Sequence, residues 1–164
     1  KFILKKQNFR DDIIESVLSL KESKNYLFPI LHERVNCLND IKDTIDFKIF
    51  LVNFKRLNNI IKSNKLSDIS NVVLNPHLFE SSEEEEIYDK SQNLDINLKK
   101  YLTDQEHQGI ILKKVINLHY VIHSFFEKVI VNHEDNKIKV NRIKLLTELT
   151  ERILKFSNFH YIEN

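Results

Sequence analysis

The strongest pattern of apolar positions lies between residues 111 and 130. Apolar side chains recur there at alternating spacings of four and three residues, which is the period of an α-helix. One stripe consists of Ile111, Val115, Leu118, Ile122, Phe125 and Val129. A second stripe beside it consists of Leu112, Ile116, His119, His123, Phe126 and Ile130. Two adjacent stripes make a wide buried face, so the pattern predicts one long central helix over about 104–131.

Shorter stripes with the same period predict further helices on both sides of the central one. They cover residues 9–20, 31–41, 45–61, 94–102 and 145–156. Asn39 and Asp40 predict a break between the second and third of these, although one long bent helix over residues 30–64 is an alternative because that segment lacks Gly and Pro. Thr103 and Glu106 have the spacing of a capping box. The chain is therefore expected to be all-α, a single-domain helical bundle of about five to seven helices over residues 1–164.

The composition agrees with helices and excludes several kinds of catalytic loop. The chain has one Gly, Gly109, and two Pro, and it contains no Ala, Met or Trp. Glycine-rich phosphate loops and the nucleophile elbow of hydrolases need more than one glycine, so both are excluded. Heavy use of Lys, Asn and Ile without Ala is typical of a very AT-rich genome, such as that of a parasite or another pathogen.

The sequence leaves the compartment open. No apolar stretch approaches the ~18 residues that a membrane span needs, and no signal peptide is visible. The first residue is Lys1 rather than Met, so we expect the chain to be a fragment of a larger protein.

An acidic run interrupts the helical pattern near the middle of the chain. Six acids fall between Glu80 and Asp89, with no apolar residue before Ile87. This composition predicts a solvated acidic loop over residues 80–90, with disorder as an alternative. Ser81 and Ser82 each have Glu three residues later, a pattern that acid-directed kinases favour. Phosphorylation of both serines and an unmodified loop are the two interpretations.

Two histidines offer a candidate metal site. His119 and His123 lie one helical turn apart on the central helix, and Glu127 lies one turn further. This spacing is used by metal sites on helices, and zinc is the candidate ion. The favoured interpretation is that the two histidines border the buried stripe and form hydrogen bonds to another helix.

A basic stretch offers a candidate nucleic-acid site. The segment from Phe47 to Lys65 has a net charge of +5, carried by Lys48, Lys55, Arg56, Lys62 and Lys65. Nucleic-acid-binding domains usually have a pI above ~9 and expose aromatic side chains beside their cations. Here the pI is about 8.0, and the aromatic residues of the segment lie on its apolar stripe. A solvated face is therefore the favoured interpretation, and nucleic acid is not the expected partner.

The last aromatic residues offer a candidate protein-binding anchor. Phe156, Phe159 and Tyr161 are irregularly spaced, and aromatic side chains dominate interface energetics. The favoured interpretation is that these rings pack back into the bundle, and continuation into a further part of the protein is another alternative.

No group of residues has the spacing of a catalytic site, and Cys37 lies within an apolar stripe as a small buried residue. The preferred hypothesis is a non-enzymatic helical interaction or scaffold module without a cofactor. Its partner would be another protein or the remainder of its own chain. Metal binding through His119 and His123 and nucleic-acid binding through residues 47–65 are the alternatives.

Overall fold

The computed structural model describes residues 2–64 and 69–163. Within these ranges the chain forms α-helices and short 3₁₀ turns, without a strand, so the all-α prediction is confirmed. None of the helices in these ranges is long and apolar enough to cross a membrane. The α-helices are α1 (Phe2–Lys6), α2 (Asp11–Leu18), α3 (Phe28–Ile41), α4 (Ile45–Asn64), α5 (Ser82–Tyr101), α6 (Gln108–Lys128) and α7 (Asn136–Leu154).

The four longest helices form a ring around the core. Helix α6 packs against α4 and α5, and α7 packs against the same two helices. Helices α4 and α5 therefore lie at opposite corners of the bundle. Helix α3 packs on the outer side of α6, and α2 packs on α3. The predicted bundle is confirmed, with α6 in contact with three other helices.

The predicted central helix is confirmed as α6, but its start differs from the prediction. Thr103 was expected to cap it, whereas Asp104 accepts a hydrogen bond from the backbone N–H of Glu106 at 2.9 Å. This bond starts a 3₁₀ turn, Gln105–His107, which leads into α6. The two interpretations of residues 30–64 are also resolved. Helices α3 and α4 are separate, and the break lies at residues 42–44 rather than at Asn39 and Asp40.

The prediction of an acidic loop over residues 80–90 is wrong, because this run is the start of α5. Ser81 caps the helix by accepting a hydrogen bond from the backbone N–H of Glu84 at 3.3 Å. Carboxylates in a first helical turn are favourable because they face the positive end of the helix dipole. Glu84 is fully buried and pairs with Arg142 of α7 at 2.9 Å, while Glu83 pairs with Lys128 of α6 at 2.6 Å. Ordered helix thus replaces the expected loop.

Phe156 and Phe159 pack into the core, as the favoured interpretation expected, so the prediction of an exposed anchor is wrong for these two residues. Both rings are buried, and the ring centroid of Phe159 lies 5.0 Å from that of Phe50. The backbone N–H of Asn158 donates to the carbonyl of Ser16 at 2.7 Å, which ties this segment to α2. Tyr161 remains 48% exposed.

Candidate functional site

One side of α4 presents a row of exposed cations. The opposite side of α4 buries apolar residues in the core. The polar side chains on the remaining side therefore face solvent. We define the basic face as Lys48, Lys55, Arg56 and Lys62, all of which are exposed. Lys48, Lys55 and Lys62 follow one another at intervals of seven residues, which places them along one line of the helix. Lys65, the fifth cation of the predicted basic stretch, lies outside the described residues.

Exposed apolar side chains lie beside these cations. Ile49 and Val52 of α4 are 41% and 57% exposed. Together with Lys48, Asn53 and His123 of α6 they line a shallow hollow of about 410 Å³. The surface between α4 and α6 therefore combines positive charge with an apolar floor.

Arg56 is held at the border between α4 and α6. Its guanidinium lies 4.6 Å from the centre of the Phe126 ring, a cation–π distance. Its Nη1 atom lies 3.9 Å from a carboxylate oxygen of Glu127. Both side chains of this ion pair are about half exposed, so Arg56 can exchange Glu127 for an anionic partner at low cost.

The exposed side of α6 forms a ridge next to the basic face. We define the α6 ridge as Lys113, Asn117, Tyr120 and His123, all exposed. Tyr120 is 59% exposed, and its ring centroid lies 3.8 Å from that of the buried His119. This neighbour supports the tyrosine ring from below and leaves its outer side open to solvent.

His119 lies behind this surface with unused hydrogen-bonding capacity. Its Nε2 atom is buried and has no hydrogen-bond partner among the described residues, and Asp46 lies 3.8 Å away. Burial lowers the pKa of His119, and the nearby Asp46 carboxylate opposes that shift. The imidazole is therefore neutral at pH 7.

The three residues of the predicted zinc site do not share a ligand arrangement. His119 faces Asp46, His123 lines the hollow beside Lys48, and Glu127 faces Arg56. In the described ranges, no group of three or more His, Cys, Asp or Glu side chains is arranged to hold a metal ion. The zinc site stays a prediction, and the geometry of these residues adds no support to it.

The two candidate phosphorylation sites differ in accessibility. Ser81 is half-buried, and its hydroxyl donates to the Glu84 carboxylate at 3.2 Å. Ser82 is exposed and donates to Glu83 at 3.3 Å. Phosphorylation stays a prediction for both residues, and Ser82 is the more accessible of the two.

Three residues of the α6 ridge were not predicted as functional from the sequence. Lys113, Asn117 and Tyr120 recur at spacings of four and three residues, which is the same period that identified the buried stripes. Their spacing, on the side of the helix that the apolar stripes leave free, is the signal that marks them as a second surface.

Exposed cations on α4 and an exposed aromatic ring on α6 are both features of surfaces that bind single-stranded nucleic acid. Lysine and arginine contact phosphates, while unpaired bases stack on aromatic side chains. Neither interaction involves a catalytic group. The exposed side chains of α4 and α6 are therefore suited to binding single-stranded nucleic acid.

The comparisons with known proteins agree with this chemistry. A family model described as the DALR anticodon binding domain matches residues 50–157. The glycine–tRNA ligase beta subunit of Sulfurihydrogenibium sp. (strain YO3AOP1) is 30% identical over 159 residues, which is 95% of this chain and 22% of the relative. That of Thermodesulfovibrio yellowstonii is 33% identical over 121 residues, which is 74% of this chain and 17% of the relative. That of Buchnera aphidicola (Acyrthosiphon pisum, strain Tuc7) is 29% identical over 150 residues, which is 92% of this chain and 21% of the relative.

These findings overturn two predictions, namely the general scaffold function and the expectation that nucleic acid is not the partner. The expectation failed because a pI is a sum over the whole chain and hides a segment whose charged residues are all cations, four of which are exposed on α4. Nucleic-acid binding through residues 47–65, which had been an alternative, agrees better with the family match than the scaffold function does. The chain spans about a fifth of the length of the curated relatives that it matches. With the family model covering well over half of its residues, the chain belongs to the DALR anticodon binding domain family.

Proposed function

We propose that this chain binds the anticodon region of a tRNA, as the anticodon-binding part of a glycine–tRNA ligase beta subunit. The observation that carries this proposal is the family match over residues 50–157, which includes most of α4 and all of α5, α6 and α7. Those helices carry most of the basic face and the whole α6 ridge. The relatives are named as glycine–tRNA ligase subunits, so the tRNA in this proposal is one that accepts glycine.

The lysines of the basic face are proposed to contact phosphates. Seven residues of an α-helix rise about 10 Å, so Lys48, Lys55 and Lys62 form a line of about 20 Å. A line of this length can follow several nucleotides of a single strand. Each phosphate neutralised in this way releases counterions, so binding should weaken steeply as salt increases.

Tyr120 is proposed to stack on an unpaired base of the loop. Stacking on an aromatic ring suits every base, and each stacked base contributes about 1–3 kcal/mol to binding. The apolar hollow at Ile49 and Val52 lies beside His123, one turn further along α6. This hollow offers a second surface, where a base can bury its apolar face against aliphatic side chains.

In this proposal the chain contributes binding rather than catalysis. Its residues would hold the tRNA, and the ligase reaction would take place elsewhere in a longer protein. The experiment therefore measures binding directly, through the fluorescence anisotropy of a labelled transcript of a glycine-accepting tRNA.

The first test compares two variants that each remove two exposed lysines. Lys48→Gln/Lys55→Gln is expected to weaken tRNA binding at least tenfold at low salt. The slope of log K against log salt should become shallower by about 0.7 for each phosphate that the variant no longer neutralises. Lys21→Gln/Lys24→Gln is the matched control, because these exposed lysines lie in a turn that packs on α2. Equal losses of affinity in the two variants would show that the basic face is not the binding surface.

The second test addresses stacking. Tyr120→Ala is expected to weaken tRNA binding about tenfold, because it removes the ring on which a base stacks. Tyr120→Phe keeps the ring and should bind within about twofold of the unaltered protein. A loss of the same size in both variants would contradict a stacking role.

A further inference from the structure

The last turn of the chain lies on α4 and carries an exposed histidine. We define the C-terminal turn as the 3₁₀ turn Phe159–Tyr161. Its first residue, Phe159, is buried in the core. The imidazole of His160 lies against the ring of Phe54 on α4, with 5.1 Å between the two ring centroids, and His160 remains exposed. The C-terminal turn therefore places a titratable side chain at the border of α4.

The position of Phe54 on α4 brings His160 close to the lysines of the basic face. Successive residues of an α-helix are about 100° apart around its axis, so Lys55 lies about 100° and Lys62 about 80° from Phe54, in the same direction. Asn53, which contacts the backbone of α6, lies about 100° from Phe54 in the other direction. The charge of Lys62 also acts on His160. His160 therefore flanks the lysine side of α4, away from α6.

Hydrogen bonds on both sides of His160 hold the C-terminal turn in place. The backbone N–H of His160 donates to the side chain of Asn158 at 3.3 Å, and the backbone N–H of Asn158 donates to the carbonyl of Ser16 at 2.7 Å. After the turn, the backbone N–H of Glu163 donates to the carboxylate of Asp12 at 3.0 Å. A group on a backbone that is already fixed loses less freedom when it binds a ligand.

The surroundings of His160 disfavour its protonated form. Burial lowers the pKa of His160, and the positive charge of Lys62 lowers it further. Helix α2 also packs against the turn, but its Asp12 carboxylate is already paired with Arg10 and accepts from the backbone N–H of Glu163. Among the described charged groups, Lys62 is the one that shifts this pKa. The imidazole is therefore neutral at pH 7 although it lies on a basic surface.

A phosphate beside the two groups would reverse this effect. Its oxygens can accept hydrogen bonds from the Lys62 ammonium and from a protonated imidazole, and its negative charge favours the protonated form of the histidine. The proton comes from the solvent and binds to a ring nitrogen of His160. An RNA strand that follows the line of lysines from Lys48 reaches His160 at the Lys62 end.

We propose that His160 is a further phosphate-contacting residue, which binds an RNA phosphate together with Lys62 and takes up a proton when it does so. This inference rests on the proposed function and deepens it, because it makes the affinity for tRNA depend on pH. The family match ends at residue 157, so the C-terminal turn lies outside the matched residues.

The experiment measures the affinity for a labelled transcript of a glycine-accepting tRNA at pH 7.5 and at pH 6.0, with circular dichroism at both pH values to confirm folding. The unaltered protein is expected to bind about threefold more tightly at pH 6.0, because a rise of one pKa unit on binding allows at most a tenfold gain. His160→Gln should reduce this gain. Comparison with the variant removes any contribution of His123, which lies beside Lys48. An undiminished gain in His160→Gln would overturn the inference.

A permanent cation at the same position separates the charge of His160 from its packing. His160→Lys should bind at pH 7.5 about as tightly as the unaltered protein binds at pH 6.0, because a lysine is protonated at both pH values. If the imidazole only packs against Phe54, both substitutions should weaken binding equally at the two pH values, and that result would overturn the inference.

His77→Gln is the matched control. His77 is exposed in the turn Pro76–Leu78, which packs on α7. This variant should keep the full gain in affinity at pH 6.0. A loss of the gain as large as in His160→Gln would show that the effect does not belong to His160.

The salt dependence provides a second readout. At pH 6.0 the slope of log K against log salt should be steeper than at pH 7.5 by up to about 0.7, the value for one further neutralised phosphate. His160→Gln should show a smaller change of slope between the two pH values. An equal change of slope in the variant and in the unaltered protein would contradict a phosphate contact at His160.

The outcomes separate this inference from the proposed function. Salt-dependent binding of tRNA with the same pH dependence in His160→Gln and in the unaltered protein would overturn the role of His160 and leave the proposed function standing. Failure of the unaltered protein to bind the transcript at either pH would overturn both.

Discussion

Arg34 is a fully buried cation whose hydrogen-bond partners are all neutral. Its guanidinium donates to the side chain of Gln108 at 2.9 Å and to the carbonyls of Leu102 and Phe156 at 2.9 and 3.2 Å. Those two carbonyls belong to the C-terminal ends of α5 and α7, where the helix dipole is negative. Burial lowers the pKa of Arg34, although an arginine remains protonated at any ordinary pH. One side chain of α3 thus holds the ends of two other helices.

Replacing Arg34 tests this role. Arg34→Met keeps most of the length of the side chain but removes the donor to Gln108 and Phe156, while the Leu102 carbonyl keeps a hydrogen bond from Gln108 Nε2 at 3.1 Å. The free energy of unfolding, measured by urea denaturation, is expected to fall by about 3 kcal/mol. Arg56→Met, at an exposed position, should change it by no more than about 1 kcal/mol. Equal urea midpoints for Arg34→Met and the unaltered protein would contradict the role.

His119 makes stability depend on pH. Its pKa is lowered in the folded state by burial, so the unfolded chain, with an ordinary pKa of about 6.5, binds more protons in mildly acidic solution. The stabilisation is complete above pH 6.5 and is lost as the pH falls toward the folded-state pKa. Urea denaturation at pH 7.5 and 5.5 should therefore show a smaller loss of stability for His119→Gln than for the unaltered protein.

A second histidine adds to the same pH dependence and provides a comparison. Burial and the nearby Lys62 lower the pKa of His160. His160→Gln should reduce the loss of stability between pH 7.5 and 5.5 by a separate amount. The double variant His119→Gln/His160→Gln should show both reductions. If His119→Gln lost as much stability between pH 7.5 and 5.5 as the unaltered protein, the buried neutral state of His119 would be contradicted.

At the scale of a helix, the start of α5 shows how an acidic run becomes ordered. Glu84 accepts hydrogen bonds from the backbone N–H of Glu80 and from the Ser81 hydroxyl, at 3.0 and 3.2 Å. The same carboxylate faces Arg142 of α7, which also donates to Glu80 at 2.9 Å. These donors satisfy the buried carboxylate and so offset the cost of taking it out of water. The acidic run therefore anchors α5 to α7.

The cap of α5 can be tested with two adjacent serines. Ser81→Ala removes the acceptor for the backbone N–H of Glu84 and is expected to lower the free energy of unfolding by about 1 kcal/mol. Ser82→Ala, at the next and exposed position, should change it by less than about 0.5 kcal/mol. Both values come from urea denaturation at pH 7. Similar effects of the two substitutions would mean that Ser81 does not act as the cap.

At the scale of the whole molecule, the fold places basic and acidic residues on different surfaces, although their numbers in the sequence are nearly equal. The chain has 25 basic and 24 acidic residues, and its formal net charge is +1. The basic face lies on α4, whereas the acidic start of α5 lies at the opposite corner of the bundle. The two surfaces therefore do not neutralise each other. The positive side remains available to an anionic partner.

The packing of the C-terminal segment against the core is also a property of the whole molecule. Phe159 contacts the rings of Phe50 and Phe54 on α4, with centroid distances of 5.0 and 5.8 Å. Phe159→Ala is expected to lower the free energy of unfolding by about 3–4 kcal/mol, as is typical for a fully buried phenylalanine. Tyr161→Ala, two residues later and exposed, should change it by about 0.5 kcal/mol or less. Comparable effects of the two substitutions in urea denaturation would show that the segment packs differently.

The sequence by itself determined those helices that have a clear apolar stripe, since apolar residues at helical spacing can be buried only along one side of a helix. The stripes at residues 111–130 predicted α6 to within a few residues at each end. Local signals were weaker where the side chains are polar, and the start of α5 was missed because its stabilising partner, Arg142, lies 58 residues away.

Only the tertiary structure decided which side chains share a surface. Phe159 and Tyr161 are near neighbours in sequence, yet the turn of the chain buries one and exposes the other. The C-terminal turn brings His160 close to Lys62 of α4, which is about 100 residues earlier in the chain. Periodicity describes one element at a time, whereas a binding surface forms where elements meet. For that reason the sequence predicted the bundle, and the packing of its helices was needed to identify the tRNA-binding surface proposed for it.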